Sequence, residues 1–332
     1  MLGLLLATPY GLTEAGEQSG TIDDSVNKTD SIIITANKYK DFTPTNIIGY
    51  GVYAAESDII NLTGSEITIN AEQFNPKLTE IRGAWARDNS TISLGKSDSI
   101  VSVNVKGNSV MALTAIGTNS KLEVNADSLF VNVESTSKDG YGIHAQNKTQ
   151  DIDAPNTAAS VNITANNIVV NSNALGISAF SNGQMNVNGN LVVNAKNAID
   201  TRGNATININ TDGQQHTTVL NGDIVFETPY TPEDTQNSGN LINSNVNINL
   251  SGEESSWTGR AYQEYQVKND KNEYVYIKSA ELDAPDDYNY GDVIGFKMNI
   301  NNGASWNMTG DSFINNVTVE NGGVITGKCK RV

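Results

Sequence analysis

Few side chains in this chain are placed to do covalent chemistry. Acyl transfer needs a nucleophile within reach of a base, and the bases on offer are His144 in YGIHAQN and His216 in GQQHTTV. His144 lies among small residues at what reads as a corner, where its expected role is a hydrogen bond to a neighbouring turn of chain. Polysaccharide cleavage needs two closely set carboxylates, one acting as acid and one as base. Asp212, in Asn210-Thr211-Asp212, stands alone, and Asp286 and Asp287 fall in a long polar insertion. The basic residues Arg82, Arg87 and Arg202 are scattered. Calcium takes about six to eight oxygens in a closed arrangement. Asp151 with Asp153, and Asp283 with Asp286 and Asp287, lack that spacing and read as solvated acidic loops. The expectation is a protein that is not an enzyme, with no catalytic residue, metal or cofactor.

Recognition has a better candidate. Six of the 12 tyrosines, Tyr262, Tyr265, Tyr274, Tyr276, Tyr288 and Tyr290, gather in the insertion 261–292. Tyrosine joins rigid apolar area to a hydrogen-bonding tip, which suits it to binding surfaces. The alternation in NEYVYIKSA is also what a hairpin packed on the body of the protein needs, and both readings stay open.

Composition narrows the partners. The chain has 332 residues and a net charge of −16. Phosphate backbones and anionic lipid need clustered Lys and Arg, so nucleic acid is excluded as a partner. Cys329 is the single cysteine and forms no intrachain disulfide. The apolar start MLGLLLATPYG is too short to span a bilayer, and residues 1–20 are expected to be a signal remnant or linker, with 328–332 a short tail. No other segment is apolar enough to cross a membrane.

The elements that would carry these residues show as a repeat. Aliphatic pairs alternate with polar residues in DIINLTG, STISLGK, SKLEVNA, SVNITA, GQMNVNG, ATININT, SNVNINL, FKMNINN and NNVTVEN. A period of two places each pair on one face of a half-buried strand. Small-residue segments such as GYGVYAAES, RGAWARDN and ALGISAFSN precede most of these strands. A further strand, such as DSIVSVNVKG or GNLVVNAK, follows several of them. Three short strands and three corners returning to the same azimuth make one coil of a parallel β-helix. The fold class is therefore all-β, a right-handed parallel β-helix with three strands per coil and loop or hairpin insertions, spanning 21–327. Handedness follows from the crossover rule for parallel strands. An antiparallel sandwich is the runner-up. Residues 148–159, 227–240 and 261–292 are insertions at corners. Met185, Val187, Ile207 and Ile209 should point inward, with Asn186, Asn188, Asn208 and Asn210 stacked on the outside. That shortest coil repeats in 22 residues. There are 45 asparagines in all, too many for ordinary strand interiors.

Near the C-terminal end the strand pairs carry a further signature, VNINLSGEESSWTGRA around Trp257 and MNINNGASWNMTGDSFINNVTVENGGVI around Trp306. This pattern resembles the last coils of autotransporter passenger domains with a pectin-lyase-like β-helix, over roughly residues 20 to 327. The resemblance implies an adhesin-type passenger, exported through the outer membrane and held at the bacterial cell surface by a membrane β-barrel that is not part of this chain. Some members are serine proteases, but Gly310, Asp311 and Ser312 lie inside the Trp306 coil and lack their following glycine. Pectinolytic members use an Arg-Ile-Lys cluster that does not occur here. The expected function is attachment to a host or matrix glycan or protein, or self-association between cells in aggregation and biofilm formation. A polysaccharide-degrading enzyme and a passive stalk are the alternatives.

Overall fold

The computed structural model describes residues 17–43, 45–137, 140–147, 158–228, 244–268, 274–278, 295–312, 314 and 316–327. Those residues are all-β, with no helix among them, and their strands join a mostly parallel sheet consistent with a β-solenoid. The pairing registers resolve into three ladders, visited in the order B, A, C along the chain. Ladder A contains Glu66–Glu72, Ile100–Gly107, residues 128–135, 167–172, 190–194 and 218–221, then Ser256–Gly259 and Ser305–Met308. Ladder B contains Ile59–Leu62, Thr91–Leu94, residues 121–124, 160–164 and 184–188, Thr206–Ile209, Asn245–Ser251 and Gly295–Asn301. Ladder C contains Asn46–Ala54, Glu80–Arg87, Val110–Ile116, Gly140–Gln146, Leu175–Phe180, residues 197–202 and 223–228, and Ala261–Lys268. The first described strand, Glu17–Ser19, already pairs in parallel with Ile32–Thr35, inside the segment expected to be a remnant or linker. The 22-residue coil is not the shortest return: Val317 pairs with Met298 in a shorter step, and Glu17 with Ile32 in a shorter one again.

Alternation explains ladders A and B. Inward residues such as Ile67, Val103, Leu129, Val131, Val193, Met185, Val187, Ile207 and Ile209 are fully buried in one continuous core. Each such aliphatic side chain contributes about 1.5–3 kcal/mol of burial. The two tryptophan motifs extend that core. Trp257 and Trp306 stack with ring centroids 4.4 Å apart, and their indole N–H groups donate to the carbonyls of Gly222 and Gly259 at 2.9 and 3.0 Å.

Ladder C breaks the alternation, being buried on both sides along most of its length. The small residues of GYG, RGAW, YGIHA and LGISA make this possible. A Cβ on Gly51, Gly83, Gly142 or Gly176 would lie 2.5 to 2.9 Å from a carbonyl oxygen of the next coil, so only a bare backbone fits. Among the described residues, two antiparallel hairpins interrupt the parallel order. Lys38–Thr43 folds back on Asn46–Ala54, and Ala261–Lys268 pairs with Tyr274–Lys278.

The asparagine excess now divides into two uses. Asn119, Asn182, Asn204, Asn210, Asn302, Asn316 and Asn321 sit at corners with φ between 47 and 62°, a left-handed conformation that asparagine tolerates better than most residues. Another set, including Asn104, Asn132, Asn171, Asn186, Asn194 and Asn208, stacks in columns on the strand faces.

Candidate binding face

On the outer side of ladder A, Asn70, Asn104, Asn132, Asn171, Asn194 and Asn221 occupy one register column. Each Nδ2 donates to the Oδ1 of the preceding coil's asparagine, at 3.0, 2.9, 3.1, 2.9 and 2.8 Å. An amide has two donor hydrogens and two acceptor lone pairs, so every interior rung keeps one of each for solvent or ligand. The rungs repeat at the strand spacing of ~4.8 Å. One flank of the column is polar beside the first two rungs, at Thr68 and Ser102, and apolar beside the next four, at the half-buried Phe130, Val169, Val192 and Val219. The other is the edge row Glu72, Lys106 and Glu134, where Lys106 pairs with Glu134 at 3.1 Å. Between amides and edge row runs an open groove of about 610 Å³.

Ladder B carries a chemically similar column without the apolar row. Asn186 donates to Asn162, Asn208 to Asn186 and Asn247 to Asn208, each at 2.8 Å. The expected outer stack of Asn186 and Asn208 is therefore a hydrogen-bonded ladder. Asn210 does not belong to it. It is 1% exposed, its Oδ1 accepts from the Gly189 N–H at 2.8 Å, and its Nδ2 donates to Gly189 O at 3.0 Å and to Thr218 Oγ1 at 2.7 Å. At the corner a positive φ turns its side chain inward, where it braces the neighbouring coil.

Of the tyrosine cluster, the one side chain that lies among the described residues is packed inside the fold. Tyr262 pairs within ladder C opposite Val225, is 4% exposed, and lies under the Arg260 guanidinium at 4.7 Å. It is a packed rung, because residues 261–265 continue the ladder before the insertion departs. Tyr265, Tyr274 and Tyr276 lie on the antiparallel hairpin at register positions opposite Ile277, Lys268 and Gln266. Their side chains, and Tyr288 and Tyr290 altogether, lie outside the described residues. The acidic groups Asp151, Asp153, Asp283, Asp286 and Asp287 lie outside them as well.

The outward column of ladder C runs Tyr53, Trp85, Thr114, His144, Ser178, Asp200, Val225 and Tyr262, all buried. His144 is thus a mid-strand residue rather than a corner one, though it does bond the next coil. Its Nδ1 is 2.8 Å from Ser178 Oγ and its Nε2 is 3.1 Å from Gln146 Oε1. Gln146 Oε1 accepts, which favours the tautomer with the proton on Nε2 and leaves Nδ1 to accept from the Ser178 hydroxyl, for which the Ile143 carbonyl at 3.4 Å is a second acceptor. A nucleophile, its base and an orienting group are therefore in line. The arrangement is sealed, because Ser178 is 0% exposed and the rings of Tyr141 and Phe180 stand 4.7 and 5.1 Å from the imidazole. In this closed form no substrate carbonyl reaches the hydroxyl. Arg82 and Arg87 do not face a ligand either; their guanidiniums stack on Trp85 and Phe42 at 3.8 and 4.5 Å. Ser312 Oγ accepts from the Ala261 N–H at 3.1 Å, a coil-to-coil bond.

The buried titratable groups of this column set a pH dependence. Burial raises the Asp200 carboxyl well above the usual carboxylate range, with Glu227 adding to it. The fold therefore favours the protonated acid to higher pH than the unfolded chain, which ionises near pH ~4. Its stabilisation is complete below that pH and is lost as pH rises through the folded value. Burial lowers the His144 imidazole to about 3. Its share is complete above the unfolded value of ~6.5 and is lost as pH falls towards 3. As pH rises from about 4 to 6.5 the two contributions therefore oppose one another, Asp200 losing stability and His144 gaining it. Asp200→Asn, which mimics the protonated acid, should raise the thermal midpoint at pH 8, with the gain vanishing below about pH 4. Circular dichroism melts across that range check it; an equal gain at all pH values would show that Asp200 does not titrate as argued.

Comparison with known proteins returns no match: no family model, no curated protein and no solved structure is similar to the chain.

Proposed function

We propose that this chain is a right-handed parallel β-helix with three strands per coil, and that it is the passenger of a surface-displayed bacterial autotransporter adhesin. It binds rather than catalyses, attaching cells to a host or matrix ligand or to one another. The observation that carries the reading is the amide column of ladder A, in which six equivalent side chains repeat at strand spacing beside an open groove. Repeated weak contacts along a rigid stack sum by multivalency when many copies share one cell. The crossover rule supports the right hand. The closed Ser178–His144 pair weighs against a hydrolase, because its hydrogen-bonding pattern is complete while its access is not. No helix among the described residues is long and apolar enough to cross a membrane.

Fusing the chain to an outer-membrane translocator on a non-adherent bacterium tests this. Cells displaying it are expected to settle faster or to attach to matrix and host-cell layers, and any self-association should strengthen with salt, which screens the −16 charge. Neither aggregation nor attachment would sink the adhesin reading, and release of sugar from pectin-like polymer would replace it with the enzyme.

A further inference from the structure

We propose that the outer face of ladder A binds a neutral linear glycan lying along the coil axis, a ligand assignment that rests on the binding reading above. Three features of the face select this class. The first is hydrogen-bonding arithmetic. The amides from Asn104 to Asn194 each retain one donor and one acceptor after making the ladder. A sugar hydroxyl is likewise both donor and acceptor, so a polyhydroxylated chain can pair with successive rungs, whereas a lipid tail cannot.

The second is the apolar row. Phe130, Val169, Val192 and Val219 run parallel to the amides, half-buried and facing outward. A pyranose ring presents C–H faces beside its hydroxyls, and an apolar stripe next to a polar one matches that division. Ladder B has the amides without a continuous stripe: its neighbouring outward column is Ile59, Thr91, Lys121, Ser160, Gln184 and Thr206, apolar only at its first position.

The third is charge. The cation among the described groove residues, Lys106, is engaged by Glu134, and Glu72 stands on the same edge. With a net charge of −16 on the chain, a polyanion meets repulsion and no available counter-charge here. Uronate and sulfated polymers are therefore disfavoured relative to uncharged ones. The six rungs accommodate an extended oligosaccharide of about six units, taking one unit per strand spacing of ~4.8 Å.

The test is calorimetric titration of the purified chain with neutral β-1,4-linked gluco- and manno-oligosaccharides of two to six units, and with polygalacturonate. At least one neutral series should bind, with affinity rising with length, and polygalacturonate should not. Phe130→Ser, and separately the pair Asn132→Ala and Asn171→Ala, should weaken binding by at least about tenfold. The ladder B pair Asn186→Ala and Asn208→Ala should change it by less than about twofold. If the ladder A asparagine pair fails to fold, as judged by strand circular dichroism, the half-exposed Phe130→Ser carries the test. The proposal is overturned if no neutral oligosaccharide binds, if polygalacturonate binds better, if ladder B variants weaken binding equally, or if the chain only associates with itself. Displayed cells that attach although no neutral glycan binds would overturn the glycan and leave the adhesin. Glycan binding by the purified chain without cell attachment would do the reverse.

Discussion

Gly189→Ala is expected to destabilise the stack by on the order of 4 kcal/mol, while Gly213→Ala costs only about 1 kcal/mol. Both glycines sit at positive φ, 142° for Gly189 and 80° for Gly213, so both replacements carry backbone strain. What separates them is space. A Cβ on Gly189 would lie 1.8 Å from the carbonyl oxygen of Ala165 in the preceding coil, whereas one on Gly213 meets nothing within 4 Å. The Gly189 clash is with backbone, which cannot swing aside. Relief requires parting two coils, and that also breaks the bonds from Asn210 to both the N–H and the C=O of Gly189. Because each coil of a solenoid touches only its neighbours, the damage should centre on residues 160–221 and fade away from them. Chemical denaturation gives the magnitude and hydrogen exchange the location. Equal costs for the two variants would contradict the coil-to-coil packing.

The same corner shows where the sequence is legible and where it stops. The alternation that makes Met185, Val187, Ile207 and Ile209 inward and Asn186 and Asn208 outward is a local property, written in residue order, and the structure follows it. Asn210 continues that alternation in sequence, yet a φ of 52° takes it out of the strand and into the interior. Nothing in ININT distinguishes it from Asn208. Ladder C was half legible. Its small residues marked a special segment, but the burial of its outward column depends on Tyr141 and Phe180 meeting over His144 from different coils, a tertiary fact. Tyr262 was misjudged for a related reason. The composition of 261–292 is that of an insertion, while its first residues are still held by the Ile224–Thr228 pairing. The hairpin Lys38–Ala54 was missed because DFTPTN lacks an Asn-Gly turn. The proposed binding face is not legible in the sequence, because its amide column draws single residues from six coils, and its apolar row from four, spaced unevenly along the chain.

Blocking that face should have the largest effect on function. Asn132 and Asn171 are exposed rungs of ladder A on the wall of the groove, and arginine at both would fill it with long cationic side chains while breaking three amide bonds. The stack should survive, because the lost bonds are exposed and each contributes only about 0.5–1.5 kcal/mol, whereas Val131 and Val170 beneath them stay buried. The matching pair on ladder B, Asn186→Arg and Asn208→Arg, adds the same charge and breaks bonds of the same kind without touching the groove. The most direct measurement is attachment by cells displaying each chain at equal surface density. Wild-type and ladder B cells should attach alike, and ladder A cells should fall to the level of the empty translocator. Attachment that survives the ladder A substitutions, or wild-type cells that do not attach at all, would contradict the account.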